Sequence, residues 1–530
     1  MPSIINTNMA SLNSQRHLNN SQSALYVAME RLSSGKRINS AKDDAAGMSI
    51  TGKMTTQING MNQAVRNSYD GVSLGQTAEG ALTTSADMLQ RIRVLAIQAS
   101  NATNSPADRQ AIQQEVAQLA AELNRIAETT SFNGQKLLNG TMGTQNFQIG
   151  ANAGELIAAN GMNFLTTTYG NNRVRGDAMI PSAFATGGQI ATGANGVKIS
   201  GSLGKGQYKV LQNDTAKTVA EAINRIQGET GVTASASTTA ILHTFTANQP
   251  YSLSLTADNK TSLVNVAFKI GSDLTRLDSY AEAINAINAQ ASKTGVSAEF
   301  YQHVDATTGN ITASGIKLTH LTGENIGVGH TEGTTPAGAV MMDSLDALDE
   351  LRGAQWLPSS GWVTDTDGSQ SASGVIGAPV SGGIVAVGIV TYDSERSFSV
   401  TDDSALHSAY VTRVVGTQDM TGASKLMSVS TVDVSTFDLA QNTLAIVDAS
   451  ITIINGERAR FGALQRRFEA TIDNLRVNSE NTTNSRSRIE DADYAEETAS
   501  LSRSTILQQA GTSMLAQANQ VPQLVLQLLQ

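Results

Sequence analysis

At 530 residues the chain is too long for one ordinary core, so about two to four domains are expected. Charged residues make up 15% and aromatics 4%, poor material for a large aromatic core but adequate for aliphatic helix seams. A net charge of −10 argues against phosphate-neutralising nucleic-acid binding, and the absence of cysteine excludes disulfide stapling.

The first 34 residues are nearly uncharged: before Glu30 the only formal side-chain charge is Arg16. Ile5 and Leu12 are seven apart, as are Leu18, Leu25 and Leu32, with a step of six between the two series. MPSIINTNMASLNSQRHLNN has neither the basic start nor the apolar run of a secretory signal, so export would use a route without a cleaved signal. Ser33-Ser34-Gly35-Lys36-Arg37 then breaks the helix, with Gly35 as its C-cap.

A long helix is expected from about Asp43 to Ser100, roughly 85 Å at ~1.5 Å per residue. Met54, Met61, Ser68, Gly75, Leu82 and Leu89 form one seven-residue line in it, and Ile58, Val65 and Val72 the complementary one. Ser105-Pro106-Ala107-Asp108 restarts a helix with a cap, a proline at the first helical position and an acid in the first turn. Ile112, Val116, Leu119, Leu123 and Ile126 make its seam, and Phe132-Asn133-Gly134 and Asn139-Gly140 mark turns.

From about 176 to 430 the pattern is β-rich, as in GVKISGS, YKVLQND, YSLSLTAD and SFSVTD. AEAIN at 220–224, followed by Thr230-Gly231-Val232, recurs as AEAIN at 281–285, followed by Thr294-Gly295-Val296. Each copy reads as a short helix leading into a strand. Trp356 and Trp362 read as small-module core.

Helical order returns near Leu439, with Val447, Ile454, Phe461, Phe468 and Leu475 seven apart, a seam suited to packing along the earlier long helix. A polar loop is expected at 481–486, and Ser487-Arg488-Ile489-Glu490 as a capping box opening the last helix. Residues 504–530 hold no Asp, Glu, Lys, Arg or His, and their seven glutamines argue against a membrane span. Leu507, Met514, Val521 and Leu528 form one seven-residue line there, and Gly511, Ala518 and Val525 another. An uncharged amphipathic helix is suited to enclosure by protein, and its natural partner is the equally charge-poor N-terminus. The alternative is two unrelated helices docked on separate cores.

The layout is nested and the fold class mixed: a long α-helical coiled-coil rod made from both chain ends, with a β-rich, α+β central insert of two or more modules. The expected domains are 1–42 with 488–530, 43–175 with 430–487, and 176–429. Enzyme signatures are weak. The histidines at 17, 243, 303, 320, 330 and 407 have no metal-ligand spacing, Asp365-Thr366-Asp367-Gly368 lacks the other ligands of a calcium loop, and Gly35-Lys36 lacks the rest of a phosphate loop. No enzyme activity, cofactor or metal is expected.

Ile4-Ile5-Asn6-Thr7-Asn8, the run Leu32 to Gly47 (LSSGKRINSAKDDAAG), Phe132-Asn133-Gly134, SRIEDADYA at 487–495 and Val521-Pro522-Gln523 together resemble the bacterial flagellins over roughly 1–175 and 430–530. The resemblance implies self-assembly into a helical filament. The terminal helices (Ile5, Leu12, Leu18, Leu25, Leu32, Leu507, Met514, Val521, Leu528) would line the filament core, the next helices inward would form a tube, and the insert would face solvent. It also implies unfolded export through the flagellar type III pathway and a secreted, extracellular location. A dedicated chaperone would cover the C-terminal helix, with filament cap and hook-filament junction proteins as further partners. Recognition by the animal Toll-like receptor for flagellin would fall on Arg91, Leu95 and Glu115, which also suit axial subunit contacts; Val94 departs from the acidic residue common there. A surface adhesin or hydrolase with a coiled-coil anchor, and a hook-filament junction protein, are the rival readings. The SRIEDADYA run and the terminal Val-Pro-Gln favour flagellin.

Overall fold

The computed structural model describes residues 7–176, 182–183, 196–211, 214–259, 263–304, 311–330, 340–344, 355–356, 383–402 and 420–528. Long helices come from both ends of the chain, and several sheets lie between them in sequence. The chain divides into two compact units. One holds Met1–Leu82, Thr130–Met162 and Arg458–Gln530; the other holds Thr83–Thr129 and Asn163–Glu457.

Helix α1 (Met9–Ser34) starts at Asn8, whose side chain accepts the Ser11 N–H at 3.0 Å, and stops at Gly35, whose φ of 70° suits glycine. Helix α2 (Ala45–Ala99) begins where Asp44 accepts the Gly47 N–H at 2.8 Å, and its 55 residues span about 80 Å. Helix α3 (Pro106–Thr129) opens on the expected reciprocal cap: the Ser105 N–H and hydroxyl donate to Asp108, and the Asp108 N–H donates back to Ser105. Asn133 and Gly134, with φ of 49° and 79°, turn the hairpin that pairs Phe132 with Gln135.

The predicted lines on the two long helices are buried. On α2, Met61, Ser68, Gly75, Leu82 and Leu89 are enclosed and Met54 is half-buried; Val447, Ile454, Phe461, Phe468 and Leu475 of the later helix are enclosed as well. In the first unit, Val72, Phe468 and Ile472 pack with Ile157 and Phe147 of the hairpin Thr144–Gln148/Leu156–Asn160. The Phe147 and Phe468 rings meet edge to face, 5.4 Å between centroids.

In the second unit, the eight-stranded sheet follows the order Val296–Val304, Ile311–His320, Thr233–His243, Ile389–Ser394, Gly170–Arg175 and Lys425–Ser428, with Met341–Ser344 also on Thr233–His243 and Gln355–Trp356 paired to it. Every pairing along it is antiparallel. The strands at 197–200 and 399–402 fall within the predicted segments, and that at 250–256 starts one residue before YSLSLTAD. YKVLQND does not form one: the strand is Lys205–Tyr208 and ends where that segment begins. Trp356 pairs with Met341, while Trp362 and 365–368 lie outside the described residues.

The internal repeat is structural, with a corrected register. Helices α4 (Ala216–Arg225) and α5 (Gln227–Thr230) precede the strand Thr233–His243; α6 (Leu277–Asn288) and α7 (Ala291–Thr294) precede Val296–Val304. Asn224 exchanges two hydrogen bonds with the Ala234 backbone at 2.8 and 2.7 Å, and Asn288 does the same with Ala298 at 2.9 and 2.7 Å. Gly231 and Gly295 both turn at φ near 70°. Asn288, rather than Asn285 of the second AEAIN, is therefore the counterpart of Asn224. Core positions agree: Ala216, Val219 and Ile223 correspond to Tyr280, Ala283 and Ile287, all buried.

Two expectations at the C-terminal end are overturned. Helix α8 (Phe437–Glu490) runs straight through 481–486. The Thr482 and Ser485 hydroxyls donate to the carbonyls four residues back, at 2.7 and 2.8 Å, so polar residues there are satisfied on the helix. The last helix, α9 (Tyr494–Leu528), is capped by Asp493, which accepts the Ala495 N–H at 2.8 Å, rather than by a box at Ser487. Among the described residues α8 is also long and apolar enough to cross a membrane, by length and composition alone.

Candidate functional site

Both helical paths break at one place in the first unit. Lys36 pairs antiparallel with Asp491, the Arg37 N–H donates to the Glu490 carbonyl at 2.6 Å, and the Ala492 N–H donates to the Gly35 carbonyl at 3.0 Å. The Arg37 guanidinium donates to the Ile489 carbonyl at 2.6 Å, placing a cation on the negative end of α8. Lys36 Nζ sits 2.5 Å from Glu490 Oε1.

Beyond this node α1 and α9 run antiparallel. Ser11, Leu18, Leu25 and Leu32, with Ser14, Ser21 and Ala28, supply α1's seam, each buried or half-buried. Glu497, Ser504, Gly511 and Ala518, with Leu501, Gln508 and Leu515, supply that of α9. Leu18 lies over Gly511, where an added Cβ would stand 3.3 Å from its Cδ1. At the far end the Ser11 hydroxyl donates to Asn519 Oδ1 and Asn8 Nδ2 to the Ala518 carbonyl, both at 2.8 Å; near the node Arg31 lies 3.8 Å from Glu497.

Leu18, Leu25 and Leu32 thus come together against α9, and Leu12 does not: it is 48% exposed because Ser11 takes its place. The seven-residue interval counted back from Leu32 lands on Ser11, a signal that removes the step of six. Leu507 and Met514 are also outside the intrachain seam, 51% and 63% exposed, because small Ser504, Gly511 and Ala518 allow the closer approach. Val521 and Leu528 belong to α9 with side chains outside the described residues, as Ile5 is altogether. The pair therefore covers two adjoining lines of each helix and leaves Met9, Leu12, Tyr26, Val27, Met29, Ile506, Leu507 and Met514 in solvent.

In the second unit Arg91 and Glu115 join α2 to α3 through two hydrogen bonds of 2.9 and 2.7 Å, both side chains about half exposed. Leu95, one helical turn from Arg91, is buried and presents no surface. Val94 and Ile97 beside it are exposed.

An open groove of about 850 Å³ in the first unit is lined by Met54, Met61, Ile149 and Leu475 with amide side chains, and its charged groups are Glu155 and Arg467. Among the described residues no His, Asp and Glu cluster is placed to hold a metal.

The profile of the bacterial flagellin N-terminal helical region matches residues 5–143, that of the C-terminal helical region 444–529, and the flagellin hook IN motif 196–259. The chain is 39% identical over 533 residues to the B-type flagellin of Pseudomonas aeruginosa, covering 99% of both. It is 35% identical over 554 residues to the flagellin of Salmonella typhimurium, covering 100% of both. It is 32% identical over 527 residues to polar flagellin B/D of Vibrio parahaemolyticus, covering 99% of both.

Proposed function

The chain belongs to the bacterial flagellins, a structural and not an enzymatic family, and on that premise we propose how it takes its place in the flagellar filament. Residues 1–42 with 488–530 form the filament core, 43–175 with 430–487 the surrounding tube, and 176–429 the solvent-facing insert. The observation that carries this reading is the second apolar line on each terminal helix. Leu12 on α1 and Leu507 and Met514 on α9 stand in water after the intrachain seam has closed, and exposed apolar stripes on charge-poor helices mark surfaces that other protein covers. Ile5, Val521 and Leu528 extend the same lines, and Leu18, Leu25 and Leu32 hold the pair together for assembly.

Negative-stain microscopy of protein polymerised in high salt tests it: long uniform filaments support the reading, and short caps or no polymer refute it. Protein lacking 504–530 should stay a soluble monomer with the rest folded; filaments from that truncation would refute the role of the tail.

Export unfolded through the flagellar type III pathway suits a chain with no cysteine, which has no disulfide to undo. The charge-free stretch of α9 from Ser504 onward suits a chaperone before assembly, and the filament cap and hook-filament junction proteins suit the same helices afterwards. Arg91 and Glu115, held together and half exposed, suit axial subunit contact and recognition by the animal Toll-like receptor for flagellin, with Leu95 buried one helical turn from Arg91. Replacing both by alanine should abolish receptor signalling by monomer; unchanged signalling refutes the assignment.

A further inference from the structure

The chain has 15 methionines and no cysteine, so thioethers are its only sulfur. Among the described residues they range from buried to exposed, with Met54 and Met88 half-buried and Met48 and Met162 exposed away from the terminal helices. Met61, Met142 and Met342 are buried, whereas Met9, Met29 and Met514 are exposed on the two terminal helices. α1 and α9 bury two adjoining lines of side chains each, and these three lie outside them. Their relative exposures are 58%, 42% and 63%.

We propose that Met9, Met29 and Met514 form an oxidation site at which a two-electron oxidant, a peroxide, blocks assembly of the free subunit. This rests on the filament reading above. The thioether sulfur attacks a peroxide oxygen: the O–O bond breaks, an S–O bond forms, the sulfur is oxidised by two electrons and hydrogen peroxide is reduced to water. The product carries a strong S–O dipole where an apolar side chain stood. Burying it against the apolar side chains of neighbouring terminal helices strips its hydration without supplying a donor. Buried methionines escape because the oxidant does not reach their sulfur. Once a neighbour covers the three side chains they are protected too, so the sensitive species is the unassembled subunit.

The experiment treats full-length monomer with hydrogen peroxide, quenches it, maps sulfoxides by peptide mass spectrometry and measures polymerisation by sedimentation. Met9, Met29 and Met514 should be oxidised with Met61, Met142 and Met342 spared, and the concentration needed to polymerise should rise about tenfold or more. A Met9→Leu, Met29→Leu, Met514→Leu variant, a swap close in volume, should polymerise equally before and after peroxide. Methionine sulfoxide reductase with dithiothreitol should restore the oxidised wild type, which irreversible damage would not allow. Normal polymerisation by wild type carrying all three sulfoxides overturns the proposal. So does equal loss in the triple-leucine variant, which would place the effect at other methionines such as Met48. Failure of untreated wild type to polymerise overturns the filament reading instead, and the peptide map then decides the oxidation site alone.

Discussion

The ring of Phe468 lies directly on the backbone of Gly71: a Cβ built at Gly71 would stand 2.5 Å from Cζ and 2.7 Å from Cε2. Phe468 is fully buried and wedged by Phe147, so it has nowhere to move. A helical glycine normally costs ~0.5–1 kcal/mol relative to alanine, yet Gly71→Ala should destabilise the first unit by about 1–2 kcal/mol, because overpacking outweighs the gain in propensity. Gly52→Ala is the control. Nothing lies within 4 Å of its Cβ position, so it should stabilise by up to about 1 kcal/mol. Denaturant unfolding of the two variants should therefore move in opposite directions.

The Asn288 clamp on Ala298 satisfies a donor and an acceptor of the strand backbone together. Asn288→Ala leaves both unpaired and should cost about 1–3 kcal/mol, with faster hydrogen exchange at the Ala298 amide. Asn285→Ala, at the exposed position that the AEAIN pattern alone would choose, should be nearly neutral. Equal effects would refute the corrected register.

Arg173 and Asp393 are mostly buried, bonded at 2.6 and 3.1 Å, with Arg173 also reaching Asn442 of α8 and Asn171 donating to Asp393 at 2.6 Å. Removing one partner leaves the other charge uncompensated, so Arg173→Ala should cost about 3–5 kcal/mol, while Arg173→Met with Asp393→Leu should cost clearly less. Thermal unfolding of the single and double variants checks this.

Asp43 accepts N–H bonds from Ser40 and Asn39, and Asp108 accepts the Ser105 hydroxyl and N–H; these bonds hold both carboxyls below their ordinary 3.8. A carboxyl lowered by folding contributes stability that is fully present above the unfolded value and is lost as pH falls through the folded one. Acidification below about pH 4 should therefore loosen the turn at 39–44 and the start of α3. Amide exchange at Ser40 and Ser105 should rise on acidification beyond the intrinsic pH effect, and Asp108→Asn should remove the dependence at Ser105.

The long helices, the α3 cap and the seams on α2 and α8 were legible in the sequence because those helices are packed on one persistent face, and a persistent buried face writes a seven-residue apolar line. The continuity of α8 through 481–486 was not, since hydroxyl and amide residues look like a loop until their bonds to the preceding turn are seen. Nor was the register of the repeat: Asn224 and Asn288 act on backbone ten residues away, and such a bond leaves no periodic trace. At the termini, low charge and seven-residue spacing already announce two helices with apolar lines to bury. Which line meets the partner helix depends on how closely the two backbones approach. α9 carries two such lines, and the one with Gly511 and Ala518 allows the closer approach, so Leu507 and Met514 are turned outward.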